Sequence, residues 1–287
     1  MRRKREKKPA LIVRLAHRLG WRPGRVMSEA LEWVEVLAVA GILGFLVMSF
    51  VTVRMHVPTG SMVPAIDPSD SFFVDRISYL FREPQPGDIV VFWHTDRVTI
   101  RSVESDSVAA LVGIEPGARV EAVNRETIFD AADADRVIDS LPEGTVVYLG
   151  VEGSLPVEIG IRTTEFSSLE DLGVRLRDHR IRYVKRLIAK GGQVVQILDG
   201  GVFVDGYRLM GERFDRTYTA NDPRMEYGVA PTLVPGGQMY VLGDNSANSW
   251  DSRYWGFVDE RDFIGEPYFR VWPLSRFGAM NGYFGSS

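Results

Sequence analysis

The sequence predicts a mainly β chain: a single N-terminal transmembrane helix, then an all-β domain interrupted by a small α+β insertion. Three observations carry this reading. Residues 36–53 (VLAVAGILGFLVMSFVTV) are 18 positions without a charge. Beyond residue 54, short apolar or alternating runs recur between Gly and Pro punctuation, the pattern of strands joined by turns. Residues 98–178 break that pattern, being rich in Asp, Glu and Ala. The expected organisation is a basic arm (1–33), an anchor (34–54), a β domain in two pieces (55–97 and 179–287) and an insertion (98–178).

The anchor rests on length. Eighteen helical residues span about 27 Å, close to the hydrocarbon thickness of a bilayer. A buried core helix is the alternative, but one this long usually carries a polar stripe. Residues 1–26 hold ten Lys or Arg against Glu6 alone, a charge of +9. The whole chain sums to −4, so the other 261 residues carry −13. Clustered basic residues stay cytoplasmic, which predicts an inside N-terminus, a single pass, and a β domain outside the plasma (inner) membrane. A cleaved signal peptide would need a small-x-small site, and Phe50–Met55 offers none. The arm faces anionic headgroups of the lipid bilayer, so no nucleic-acid partner is expected. Having no Cys, the chain can form neither disulfides nor thiolate metal sites.

The predicted strands are 71–77, 87–93, 180–188, 191–198, 201–209, 238–244 and 263–272. In the insertion, DAADADRVIDSL (130–141) reads as a helix.

Two residues suggest chemistry. In His56-Val57-Pro58-Thr59-Gly60-Ser61-Met62-Val63-Pro64, two prolines bracket a Gly-Ser turn, with Gly60 free to take an unusual backbone conformation. Such a turn presents Ser61 as a fixed hydroxyl near the membrane; an ordinary Pro-rich linker would read the same way. A serine nucleophile needs a base. His56, His94 and His179 lack a triad context. Lys185 is the better candidate: on a strand, Ile181, Tyr183, Lys185 and Leu187 share one face. Burial in that row would lower the lysine pKa and free the amine to accept a proton. A lysine on a cationic edge strand is the alternative.

These residues resemble the bacterial type I signal peptidases, membrane-bound Ser-Lys endopeptidases of the S26 family. VPTGSMVP (57–64), GDIVVF (87–92), YVKR (183–186) and GDNSANSWDSRYWG (243–256) match four boxes in order. The resemblance implies a signal-peptidase-like β fold, with Ser61 as nucleophile and Lys185 as general base. It implies an oxyanion hole of the Ser61 N–H and Thr59 hydroxyl, and Ser249 orienting the amine. Asp244, Asp251, Arg253 and Arg186 would form supporting ion pairs, with the partners left open. Val57, Pro58, Met62, Ile66, Tyr183 and Val184 would line narrow apolar substrate pockets. The implied partners are secretory preproteins, cut after small-x-small motifs, and neither metal nor cofactor is required. Ala189-Lys190-Gly191-Gly192-Gln193 departs from the family's Gly-x-Pro-Gly-Asp turn.

The insertion is similar to PDZ modules through SVAALVGIEPGARVEAVN (107–124). The carboxylate-binding loop that normally precedes this part is missing, and Leu172-Gly173-Val174-Arg175-Leu176 is the candidate replacement, which would make the module circularly permuted. Such modules bind a C-terminal peptide along a sheet edge beside a helix, here 130–141; a spacer without ligand is the alternative. Two other functions stay open: a membrane-tethered PDZ adaptor with a degenerate protease core, and a regulatory protease with few substrates.

Overall fold

The computed structural model describes residues 11–46, 51–164 and 166–280. The basic cluster Arg2–Lys8 and positions 47–50 of the apolar run lie outside the described residues.

Helix α1 (Leu11–Arg18) precedes helix α2 (Arg25–Leu46). Helix α2 runs straight through the expected division at residues 33 and 34. Its first half carries Arg25, Glu29, Glu32 and Glu35 at helical spacing, with Arg25 Nε 3.3 Å from Glu29 Oε1. Ile12 N donates to Glu35 Oε2 at 2.8 Å, tying α1 to α2. The apolar half of α2 covers 36–46, roughly 16 Å of rise. Strand β1 (Thr52–His56) then takes the end of the apolar run, which the expected anchor had included. Among the described residues no helix is long and apolar enough to cross a membrane. None of the residues of α2 is buried, and every residue of its apolar half, 36–46, is exposed.

After β1 come β2 (Ser71–Asp75) and the long β3 (Ile89–Val103). The insertion follows: α3 (Val108–Leu111), β4 (Arg119–Val123), β5 (Glu126–Thr127), α4 (Ala131–Ser140), β6 (Val146–Val151) and β7 (Val157–Ile161). The chain returns on β8 (Val174–Lys190), then β9 (Val194–Leu198), β10 (Gly201–Val204), β11 (Tyr207–Arg208), β12 (Thr232–Leu233) and β13 (Gln238–Leu242). The last elements are α5 (Ser252–Trp255), β14 (Val258–Asp259), β15 (Phe263–Trp272) and β16 (Gly278–Ala279). The fold is therefore mainly β, with most predicted strands in place.

Strand β3 organises the main sheet. Antiparallel neighbours run β1–β2–β15–β3, and β4 joins β3 at Val98 and Thr99. Along its other side β3 pairs with β8 from Ile89↔Arg186 to Val103↔Val174. The expected insertion boundaries, 98 and 178, thus fall inside continuous strands. Their outer halves (DRVTIRSV and VRLRDHRIR) alternate charged with apolar residues, so composition shifts before the strand ends. A second sheet, β11-β10-β9-β12, packs beside the first.

Separate apolar clusters fill these layers. Val98, Val120, Ile138, Leu149 and Val174 centre the insertion. Met55, Val57, Met62, Ile66, Phe72 and Val184 form the cluster beneath the Ser61 turn. Val90, Phe92, Leu187, Tyr254 and Trp255 form another. With clusters on both sides, β8 is buried continuously from Val184 to Ala189.

The proposed carboxylate loop takes another form. Val174–Leu176 are ladder residues of β8. The N–H groups of Leu172, Gly173 and Val174 donate to Ser168, Glu170 and Leu169 carbonyls. Donors already committed to backbone carbonyls cannot hold a terminal carboxylate.

Candidate active site

Ser61 lies on the turn after β1, and Lys185 lies where β8 enters the core. Across a sequence separation of 124 the two meet in one hydrogen bond: Lys185 Nζ stands 2.9 Å from Ser61 Oγ, and both side chains are buried. The expected row on β8 is graded, with Ile181 exposed, Tyr183 half-buried, and Lys185 and Leu187 buried. Lys185 is 3% exposed, with Nζ 5.3 Å from the Tyr183 ring centroid. Burial lowers its pKa from 10.5 to about 8; Arg253 adds to this, while Asp251 and Asp244 oppose it. At pH 8 about half of the amines are therefore neutral and able to accept the serine proton.

The loop carrying Ser61 is held by the last box. Asn245 N donates to Ser61 O at 3.0 Å, and Asn245 Nδ2 donates to Gly60 O at 3.0 Å. Gly60 has no positive φ, so the unusual conformation expected of it is absent. Gly243 is the glycine that the packing requires: a Cβ there would sit 2.2 Å from Ser249 Oγ and 2.6 Å from Ser61 O. Thr59 Oγ1 lies 3.5 Å from Ser61 Oγ, on the exposed side of the nucleophile.

The four charged residues sort into two buried pairs. Arg186 meets Asp244 in a fork, with Nε–Oδ1 at 2.7 Å and Nη2–Oδ2 at 2.6 Å, and its Nη1 donates to Gly87 O. Arg253 meets Asp251 through Nε–Oδ1 at 2.8 Å and Nη2–Oδ2 at 2.9 Å. Arg253 is fully buried, and its remaining donors reach Thr219 O and both oxygens of Ser246. The guanidinium thus staples the last box to the segment before it. Such pairs fix geometry more than they add net stability, since burying both ions offsets much of their attraction. The sequence assigns no role to Asn245 or Ser246, although both lie in the quoted box.

Ser249 departs from expectation. It is buried beside the dyad, but its hydroxyl has no hydrogen-bond partner and does not orient the amine. The substrate residues divide as well. A cavity of about 460 Å3 is lined by Val57, Pro58, Tyr183 and Val184 together with Ser61, Lys185 and Ser249. Met62 and Ile66 are fully buried in the cluster beneath and do not line it. Met55, Asp96, Ile181, Trp250 and Tyr254 line it unforeseen.

The histidines stay outside the dyad. His56 Nδ1 meets Ser71 Oγ at 3.3 Å, and His179 Nε2 meets Thr99 Oγ1 at 2.8 Å. His94 packs on Trp255 and edge-on to Tyr183, with ring centroids 4.3 and 4.9 Å away. The departing turn closes by other means: Lys190 N donates to Gln193 Oε1 at 2.8 Å. Among the described residues no group of three or more His, Asp or Glu is placed to hold a metal ion.

The model of the family described as signal peptidase, peptidase S26, matches residues 30–272. A probable signal peptidase I-2 of Synechocystis sp. is 27% identical over 250 residues, covering 87% of this chain and 77% of that protein. The signal peptidase I of Mycobacterium tuberculosis H37Rv is 28% identical over 281 residues, covering 88% of this chain and 76% of that protein. A solved signal peptidase I from Enterococcus faecalis is 32% identical, covering 30% of this chain and 81% of that one; its TM-score of 0.24 carries no argument about fold.

Proposed function

The chain belongs to the peptidase S26 signal peptidases, and from that premise we propose that Ser61 and Lys185 are the dyad with which it cuts signal peptides from exported preproteins. It is a serine hydrolase of the signal peptidase I kind. The observation that carries the dyad is the 2.9 Å contact between a buried hydroxyl and a buried amine of lowered pKa.

In the proposed reaction the neutral Lys185 amine accepts the Ser61 proton as Oγ bonds to the scissile carbonyl carbon. The Ser61 N–H and Thr59 hydroxyl receive the developing oxyanion, each worth about 3 kcal/mol. The C–N bond breaks, Lys185 returns its proton to the leaving amine, and an acyl-enzyme remains. Lys185 then deprotonates the water that hydrolyses the ester. Val57, Pro58, Tyr183 and Val184 give the cavity an apolar wall, which suits the small residues of small-x-small motifs.

The remaining parts of the reading concern place. The apolar run 36–53 is the single-pass anchor, with the basic arm cytoplasmic and the β domain outside the plasma membrane. The exposed apolar surface of α2 favours this. The insertion is a PDZ-like module in which a peptide adds to β8 beside α4, without the terminal-carboxylate loop.

The test uses the full chain in proteoliposomes with a model preprotein. Ser61→Ala and Lys185→Ala should each abolish cleavage while leaving the fold intact by circular dichroism. Normal processing by Lys185→Ala would refute the dyad.

A further inference from the structure

Strand β13 pairs with β8 only from Arg186 to Lys190. On that side, Val174–Lys185 has no strand partner among the described residues. An extended peptide could therefore add to this edge, its main-chain groups meeting those of β8. Beyond the dyad, Asp178 and Arg180 of β8 border a cleft of about 960 Å3 between the insertion and the catalytic sheet. Arg180, five residues from Lys185, is roughly 17 Å along the strand.

The walls of the cleft are acidic. Asp133, Asp259 and Asp262 are neutralised by Arg136, Arg261 and Arg180. Among the described residues this leaves Glu126, Asp130, Asp178 and Glu226 without an ion pair in a cleft that Arg125 also lines. Asp130 is half-buried and Asp178 is exposed; partial desolvation pushes both pKa values up, Asp130 raises Asp178 further, and the Arg180 charge opposes both shifts. A cation between them would relieve both. Trp255 also lines the cleft; it is 6% exposed, and its indole N–H has no hydrogen-bond partner.

We propose that this cleft binds the mature flank of the preprotein as an extended strand and prefers basic residues in it. The inference rests on the peptidase reading above. An apolar signal helix gains nothing from carboxylate walls, whereas a polar mature segment gives up little solvation there. A free C-terminal carboxylate would be repelled.

The test compares model preproteins carrying three Lys or three Glu in the early mature region, cut by the full chain in proteoliposomes. The Lys substrate should show a KM about fivefold lower at equal kcat, converging with the Glu substrate at high salt. Asp130→Asn with Asp178→Asn keeps the acceptor oxygens for Asp133 N and Ala131 N and should remove the preference. Glu126→Gln with Glu226→Gln changes two exposed side chains and should weaken it even if the first pair misfolds. Equal KM values in the wild type, a preference surviving both pairs, or a response confined to charges on the signal side would overturn the proposal. So would competition by a basic peptide that leaves the Lys–Glu difference intact. No cleavage of any substrate would instead overturn the peptidase reading.

Discussion

Replacing Tyr183 by Ala tests whether burial makes Lys185 a base. The ring centroid lies 5.3 Å from Nζ, and burial is the largest cause that brings the amine from 10.5 to about 8. If kcat follows the neutral amine, its rising limb is half-maximal near pH 8, and pH 7 gives about a tenth of the plateau. Opening one wall of the site to water restores part of the lost solvation. If that part is about 1.4 kcal/mol, the limb moves about one pH unit upward. The variant should then be about tenfold slower than wild type at pH 7 and reach the same plateau by about pH 10. Reading kcat at saturation removes the effect on binding, which matters because Tyr183 also lines the substrate cavity. Tyr183→Phe keeps the ring and should leave the limb in place. A Tyr183→Ala enzyme equally slow at every pH, with an unmoved limb, would refute the desolvation argument.

Two further predictions concern packing. Burial, reinforced by Lys185 and Arg180, lowers the His94 pKa from 6.5 to about 4. Protons therefore favour the unfolded chain: the stabilisation is complete above pH 6.5 and lost as pH falls towards 4, by up to about 3 kcal/mol. Urea unfolding in detergent should record this slope, and His94→Phe should flatten it; an unchanged slope would sink the assignment. Gly243→Ala would place a methyl 2.2 Å from Ser249 Oγ and 2.6 Å from Ser61 O. It should cost about 1–3 kcal/mol and lower kcat by displacing the nucleophile, seen in melting and turnover together. Wild-type turnover would show that the loop can yield.

The nucleophile and base could be read from the sequence because each sits in a local pattern, a Pro-bracketed turn and a period-two strand. Which acid meets which base could not. Arg186 finds Asp244 across 58 residues, whereas Arg253 finds Asp251 two residues away, and nothing in either box distinguishes the cases. Met62 and Ile66 are as apolar as Val57 and Val184, so only coordinates separate core from cavity wall. The start of α2 was hidden because its first turns are charged, and β1 because its first residues continue an apolar run. The reach of β3 and β8 into the insertion was hidden because their charged halves lack an uninterrupted apolar signature.

The distance along the chain between hydroxyl and amine has a consequence for synthesis. A ribosome adding about 5–20 residues per second delivers Lys185 roughly 6–25 s after Ser61. Until β8 emerges and zips onto β3, the exposed alcohol has no proton acceptor and is chemically idle. A stalled or truncated product ending within the insertion is therefore harmless to neighbouring polypeptides, and activity appears only once the strand returning from the insertion has closed its ladder.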